Sequence, residues 1–390
     1  MPKITIKNPL FFLVYLTSFL YSFHYSLPLY IESSFITQFL PTEKMVGLIF
    51  ATAAVFTSLF TFLLPRILRR WGNYRATLTA MGLEVGTLVA LATFTNPILI
   101  IPLFIFHQTL ASIIFLNLDH FVESFSEDSA TGGIRGTFMT VLNVATAIAP
   151  SIAGLMLTDH DFWKVYLAGA VFMALAFFVI AKNFKNYQGP HYAVTPFRKT
   201  LAIVRKIHDL HSIIFMHFLL SFFYAWMVIY TPLYMNKYMG IPINEILGII
   251  TPIALLPFIF FEVILGKIAD TRLGEKEILT AGFIVMALST AVLSLVTSGS
   301  VLLWAGLLFM TRTGASAVEV MTESYFYKQI GSEDTHLITF MRMIRSTAYI
   351  IGPLIGSLVL SFIDYRFLFL VLGIIMLTAI PYSLTIKDTR

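Results

Sequence analysis

Cysteine is absent from the 390 residues, and charge is scarce: Lys, Arg, Asp and Glu together make up 12% of the chain. Without thiols there is no disulfide, no thiolate nucleophile and no cysteine metal site. A soluble domain carries roughly 25% charged residues, whereas this chain is 57% hydrophobic with a mean hydropathy of +0.82. That balance excludes a water-soluble enzyme, a disordered chain and a nucleic-acid reader. A phosphate-cradling G-x-x-x-x-G-K-[ST] loop is also missing, which argues against ATP-driven work by this chain. Alternating ten-residue segments are absent too, which excludes a membrane β-barrel.

What is present is a succession of long apolar runs edged by Gly, Pro, Asn or charge. A spanning helix needs about 20 apolar residues, and twelve runs satisfy that length: 9–31, 44–65, 74–95, 98–125, 135–157, 162–181, 211–235, 244–265, 277–297, 300–327, 337–361 and 366–386. The fold class expected is an all-α membrane protein. The first run is too long for a cleavable signal peptide and is expected to serve as an uncleaved insertion signal. With an even number of spans both termini share a side. If that side is the cytoplasm, the opposite face receives only Lys44, Lys164, Lys237 and Arg366, and three arginines, Arg312, Arg342 and Arg345, fall inside spans. The remaining basic residues lie on the side of the termini, the asymmetry expected of cytoplasmic loops. The net charge of +5 and pI near 9.2 reflect those loops and not an acidic partner. The longest polar connection, 182–210, is basic and divides an N-terminal six-helix bundle (1–181) from a C-terminal one (211–390). A short amphipathic surface helix is expected near 197–209.

The halves repeat each other at an offset of roughly 200 residues, which implies two parallel bundles related by an axis normal to the membrane. Leu27-Pro28-Leu29-Tyr30 recurs as Thr231-Pro232-Leu233-Tyr234. Thr79-Ala80 with Gly82 recurs as Thr280-Ala281-Gly282, and Ala149-Pro150 through Gly154 as Gly352-Pro353 through Ser357. The connection between spans 8 and 9 reads Gly266-Lys267-Ile268-Ala269-Asp270-Thr271-Arg272-Leu273-Gly274-Glu275-Lys276. On these residues the chain resembles the major facilitator superfamily, whose cytoplasmic signature is G-x-x-x-D-x-x-G-x-[RK]. Arg312-Thr313-Gly314 resembles the family's arginine motif, transposed from span 4, where His107 stands, to span 10. The first-half counterpart of the signature, Leu64 to Asn73, has no aspartate and carries Arg66, Arg69 and Arg70 instead. The resemblance implies twelve helices in two pseudosymmetric bundles and alternating access around a central site; where the first half departs from the family pattern, its swapped charges lead us to expect a reversed pair of cytoplasmic latches. Asp270, within Gly266–Gly274 and beside Arg272, is expected to meet Arg135, and Arg66, Arg69 and Arg70 are expected to meet Glu333 and Asp334.

Ionisable groups within a bilayer are costly unless paired or facing water, so each is a functional candidate. Depth counting from the turn near Gly331 predicts two stacked ion pairs, Glu319 with Arg345 and Glu323 with Arg342. Asp119, with no cation at matching depth in span 5, is the first expectation for a proton-linked group, followed by Glu123, Glu84, Glu319 and Glu323. Glu84 is expected to face inward through a gap left by Gly82 and Gly86. Spans 1, 4, 7 and 10, which line the cavity in the resembled family, offer Tyr21, His24, His107, Gln108, Asn117, His217, Tyr224, Trp226, Tyr230 and Arg312 as substrate contacts. No two histidines show ligand spacing on one helix, so no metal site is expected, and no cofactor. The reading is a secondary transporter, not an enzyme: a monomeric, multi-pass protein of the cell (inner) membrane, with both termini cytoplasmic. Its partners are a small organic solute, protons and lipid. Efflux of amphipathic compounds is slightly preferred over uptake of a sugar, peptide or organic anion, or the flipping of a lipid or lipid precursor.

Overall fold

The computed structural model describes residues 9–125, 131–157, 161–185, 197–269, 273–329 and 335–387. Among them there is no strand, and eight helical segments are long and apolar enough to cross a membrane. Contacts divide the chain into two units, residues 1–41 with 52–194 and residues 42–51 with 195–390.

In the first unit, α1 (Pro9–Ser26) leads through a Pro28 turn into the one-and-a-half-turn α2 (Glu32–Thr37). α3 (Val46–Thr93), which belongs to this unit from Thr52 onward, carries two expected spans in one helical run broken at Gly72, whose φ of 73° and ψ of 158° are non-helical. A Cβ at Gly72 would meet nothing within 4 Å, so glycine stands there for its backbone freedom alone. Asn73 then anchors the second half: it is buried, donates from Nδ2 to the Asn117 carbonyl at 3.2 Å, and accepts from Thr77. α4 (Pro97–Phe125), α5 (Thr131–Met156) and α6 (Phe162–Asn183) complete the unit. α1 packs on α5 and α6, and the Ser22 hydroxyl donates to the Leu142 carbonyl at 2.9 Å across the α1–α5 seam. Such polar stitches matter in lipid, where apolar contact gives helices little reason to associate.

In the second unit a short amphipathic helix is present where one was expected, α7 (Phe197–Lys206), with Thr200 and Val204 buried one turn apart and Arg205 and Lys206 exposed. α8 (His208–Lys237) is the most deeply enclosed span. α9 (Ile243–Ile268) begins with a π turn over Ile246–Ile250. Pro252 follows that turn, and a proline ring clashes with the carbonyl four residues back, which favours the wider winding. The remaining elements are α10 (Glu275–Leu293), α11 (Val301–Gln329), α12 (Thr335–Val359) and α13 (Tyr365–Thr385). Residues 42–51 pack with this unit. Glu43 accepts from Lys237 Nζ at 2.8 Å and from the Tyr238 hydroxyl, and Ser357 donates to the Lys44 carbonyl at 2.6 Å. Partial burial first, and then the Glu43 carboxylate, raise the Tyr238 hydroxyl above its ordinary range.

Candidate functional site

The first unit gathers four ionisable side chains from α1, α2, α3 and α4 into one buried network. His24, Glu84 and His107 are completely buried and Glu32 is 1% exposed. His24 Nδ1 lies 2.6 Å from the Tyr21 carbonyl, which can only accept, so Nδ1 carries the hydrogen. His24 Nε2 and His107 Nδ1 both reach Glu84 Oε1, at 3.0 and 2.6 Å. His107 Nε2 lies 3.3 Å from Glu32 Oε1, whose second oxygen accepts from Gln108 at 2.5 Å. Glu84 Oε2 is buried without a hydrogen-bond partner among the described residues. The Tyr166 hydroxyl is likewise buried and unpartnered, its ring edge-on to His107 at 6.2 Å.

Counting hydrogens shows what this arrangement can do. Four contacts meet the two imidazoles, and each needs one hydrogen; two neutral imidazoles supply only two. The other two are excess protons held by the histidines and carboxylates together. At full occupancy the network is neutral as a whole, and removal of either excess proton leaves a buried negative charge and one contact without its hydrogen. One ligand atom from each of His24, Glu84 and His107 also lies within 4.8 Å of the others, a spacing that a metal ion would accept. The expectation of no metal site rested on spacing within one helix, and a set drawn from three helices escapes that test. The nitrogen–oxygen separations are of hydrogen-bond length, and protons satisfy them.

Glu84 does face inward, but not through Gly82 and Gly86. Residues two apart on a helix point about 200° away from each other, so those glycines lie on the face opposite Glu84. A Cβ at Gly82 would meet only Phe177, at 3.7 Å, and one at Gly86 nothing within 4 Å. Glu32 was missed by the sequence reading because it lies one residue beyond the first apolar run. A lone carboxylate just outside a run, followed by Phe35 and Ile36, was the available signal.

The second unit holds a separate constellation. Arg312, in the middle of α11, is 6% exposed, and its guanidinium carbon sits 5.3 Å from the Phe223 ring centre and 5.7 Å from that of Tyr224. The Tyr224 hydroxyl donates to Glu319 Oε2 at 2.5 Å. Glu319 therefore has a contact other than the predicted one with Arg345, which is exposed. Depth counting matches heights along neighbouring helices but not the directions in which side chains leave them. The companion pair cannot be compared, because the Arg342 side chain is outside the described residues. Glu262 on α9, half-buried and near enough to Glu319 and Glu323 to feel their charge, was overlooked, although the rule that picked out Glu84 applies to it equally. We expect Tyr224→Phe to cost about 1–2 kcal/mol through loss of the Glu319 contact. Chemical denaturation in mild detergent checks this, and a loss below about 0.3 kcal/mol would show that the contact is not held.

The other candidates divide. Asp119 is buried but has a partner, so the expectation of a solitary carboxylate is not met. Tyr21 donates to the Ala111 carbonyl at 2.8 Å, and Tyr230 to that of Pro353 at 2.8 Å, so both hydroxyls serve packing. Trp226, its ring tilted against those of Phe222 and Tyr230, and His217 each keep one ring nitrogen without a partner among the described residues, and the Asn117 amide has none at either atom. Arg66, Arg69 and Arg70 are exposed. A Cβ on Gly266 would touch Val320 at 3.6 Å, and Gly274 caps α10 at a φ of 85°. The latch partners Asp270, Arg272, Glu333 and Asp334, and the side chains of Glu123 and Arg135, lie outside the described residues.

Solved structures share this architecture. The nucleoside transporter NupG is similar over 97% of this chain and 100% of its own, with a TM-score of 0.76 at 12% identity. A bacterial homolog of the human lysosomal transporter Spinster matches over 97% of this chain and 96% of its own, at a TM-score of 0.76 and 9% identity. The POT family transporter PepTSo matches over 96% and 97%, at 0.75 and 13%. At such identities the likeness concerns the fold. No curated protein sequence matches significantly. The sequence model of the Major Facilitator Superfamily matches residues 10–328 and 244–389. With the sequence model spanning nearly its whole length and these helices to carry it, the chain is a multi-pass membrane protein that belongs to the major facilitator superfamily.

Proposed function

We propose that this transporter moves a small organic solute by alternating access, coupled to protons through the His24–Glu84–His107–Glu32 network. The observation that carries the reading is the hydrogen count: four buried groups whose contacts require two protons beyond those of neutral imidazoles. The groups facing them are Tyr21, Tyr166 and Gln108, none of which supplies a fixed charge. Loss of a proton removes one link among α1, α2, α3 and α4, which ties proton occupancy to the packing of the first bundle. The basic loops support cytoplasmic termini in the cell membrane, and rocking of 1–181 against 211–390 is the motion that the family fold permits.

A second reading concerns the solute. The aromatic residues that favoured efflux of amphipathic compounds are largely committed: the Tyr21 and Tyr230 hydroxyls to backbone carbonyls, and the Trp226 ring to packing between two other rings. The buried Arg312 instead favours an organic anion. To test coupling, purified protein in liposomes is loaded with a pH-sensitive dye and given inward gradients of nucleosides, sugars, dipeptides and organic acids. Solute-driven change of lumenal pH is expected with wild type and not with Glu84→Gln, which keeps the side-chain volume but cannot ionise. Equal proton movement in the two proteins would refute coupling through this network.

A further inference from the structure

We infer that Arg312 is the docking point for a single carboxylate carried on a flat, apolar solute. This rests on the transporter reading and narrows its substrate class.

Arg312 differs in kind from the buried groups of the first unit. Histidines and glutamates can shed their charge by exchanging a proton, whereas a guanidinium stays ionised. It therefore holds a permanent positive charge in the middle of a spanning helix. Arg312 is also the only arginine or lysine buried among the described residues. Its described contacts are the faces of Phe223 and Tyr224, and among the described residues it has no ion pair or hydrogen bond. Contact with ring faces uses none of the five N–H groups, which lie in the plane of the guanidinium, as hydrogen-bond donors. The nearest acid along its own helix face, Glu319, sits seven residues further on, about 10 Å along the axis, and accepts from the Tyr224 hydroxyl.

A largely buried cation with an unused fork of donors favours an anion, and a planar carboxylate meets that fork with two parallel hydrogen bonds. The count of charges limits the ligand. No second buried lysine or arginine is described to offset a phosphate dianion, and Glu262, Glu319 and Glu323, further along, repel additional negative charge. The wall selects the body: the Phe223 and Tyr224 rings flank the guanidinium, and Phe258 continues the surface at 6.1 Å from Tyr224. An aromatic or similarly flat hydrocarbon lies well on such faces.

The test is equilibrium binding to the full-length protein in detergent, using 3-phenylpropionate, its neutral analogue 3-phenylpropanamide, and the cation phenethylamine. Wild type should bind the carboxylate at least tenfold more tightly than the amide and leave the amine unbound. Arg312→Gln should abolish that preference, with Kd for the carboxylate raised at least tenfold. Arg312→Lys keeps the charge without the planar fork and should fall between the two; it carries the test should Arg312→Gln fail to fold. Equal binding of carboxylate and amide by wild type, or an unchanged Kd in either variant, would overturn the inference. Binding in detergent needs neither a gradient nor alternation. Loss of carboxylate preference alongside intact solute-driven proton movement removes this inference alone, whereas carboxylate binding without any flux removes the transport reading alone.

Discussion

Glu84→Ala should be the most damaging single substitution in the N-terminal unit, lowering stability by about 3–5 kcal/mol, the range for removing one member of a buried, hydrogen-bonded charge network. Glu84 Oε1 is the point at which two imidazoles meet, at 3.0 and 2.6 Å. With the carboxylate gone, His24 Nε2 and His107 Nδ1 face a void and the network loses its central acceptor. His107 keeps only the 3.3 Å contact to Glu32. Glu84→Gln fills the volume, still accepts one hydrogen bond, and should cost less than half as much while abolishing proton exchange. Unfolding of each variant in mild detergent, followed by circular dichroism, gives the comparison. Should Glu84→Ala unfold within about 1 kcal/mol of wild type, the contacts around Oε1 would not be holding α1, α3 and α4 together, and the coupling role would lose its structural footing.

Much of this was visible in the sequence because lipid imposes simple rules. An apolar run of about 20 residues has few ways to satisfy its backbone except as a helix, so the spans could be placed from hydropathy. Gly72 could be suspected as a break, but the continuous run of α3 on either side of it could not, since hydropathy records compatibility with lipid and not helix continuity. Glu84, His24 and His107 were each singled out, yet as separate candidates: a coupling carboxylate and two cavity contacts. Nothing in spacing along one helix reveals that groups 60 and 23 residues apart share an oxygen. The Tyr224–Glu319 contact escaped notice for a related reason, because height along a helix is legible from residue counting whereas azimuth relative to a neighbour is not.

Gly314→Val should disrupt the C-terminal unit as severely, and for a reason that involves no charge. α10 and α11 approach so closely that a Cβ on Gly314 would lie 2.5 Å from the Met286 nitrogen, 2.6 Å from the Gly282 carbonyl oxygen and 2.9 Å from Met286 Cα. All three are backbone atoms, so no side chain can swing aside and the helices themselves must separate. The contact is reciprocal, since a Cβ on Gly282 would meet the Gly314 carbonyl oxygen at 3.1 Å. On another face of α10, a Cβ on Gly373 of α13 would meet the Ala287 carbonyl oxygen at 2.7 Å. Small residues at these positions let backbones touch where no hydrophobic force drives helices together in lipid. Even Gly314→Ala should cost about 1–3 kcal/mol, the range for overpacking, and the valine more. Gly306 supplies the control: it lies on the same helix with nothing within 4 Å of its would-be Cβ. There alanine should be neutral or stabilise by up to about 1 kcal/mol through helix propensity alone. Because Gly314 stands between Arg312 and Glu319 on α11, separating the helices also shifts both groups, so Gly314→Ala should weaken carboxylate binding while Gly306→Ala leaves it unchanged. Equal melting temperatures for the two alanine variants would mean that α10 and α11 are not held at this spacing, and the placement of Arg312 against α8 would have to be redrawn with them.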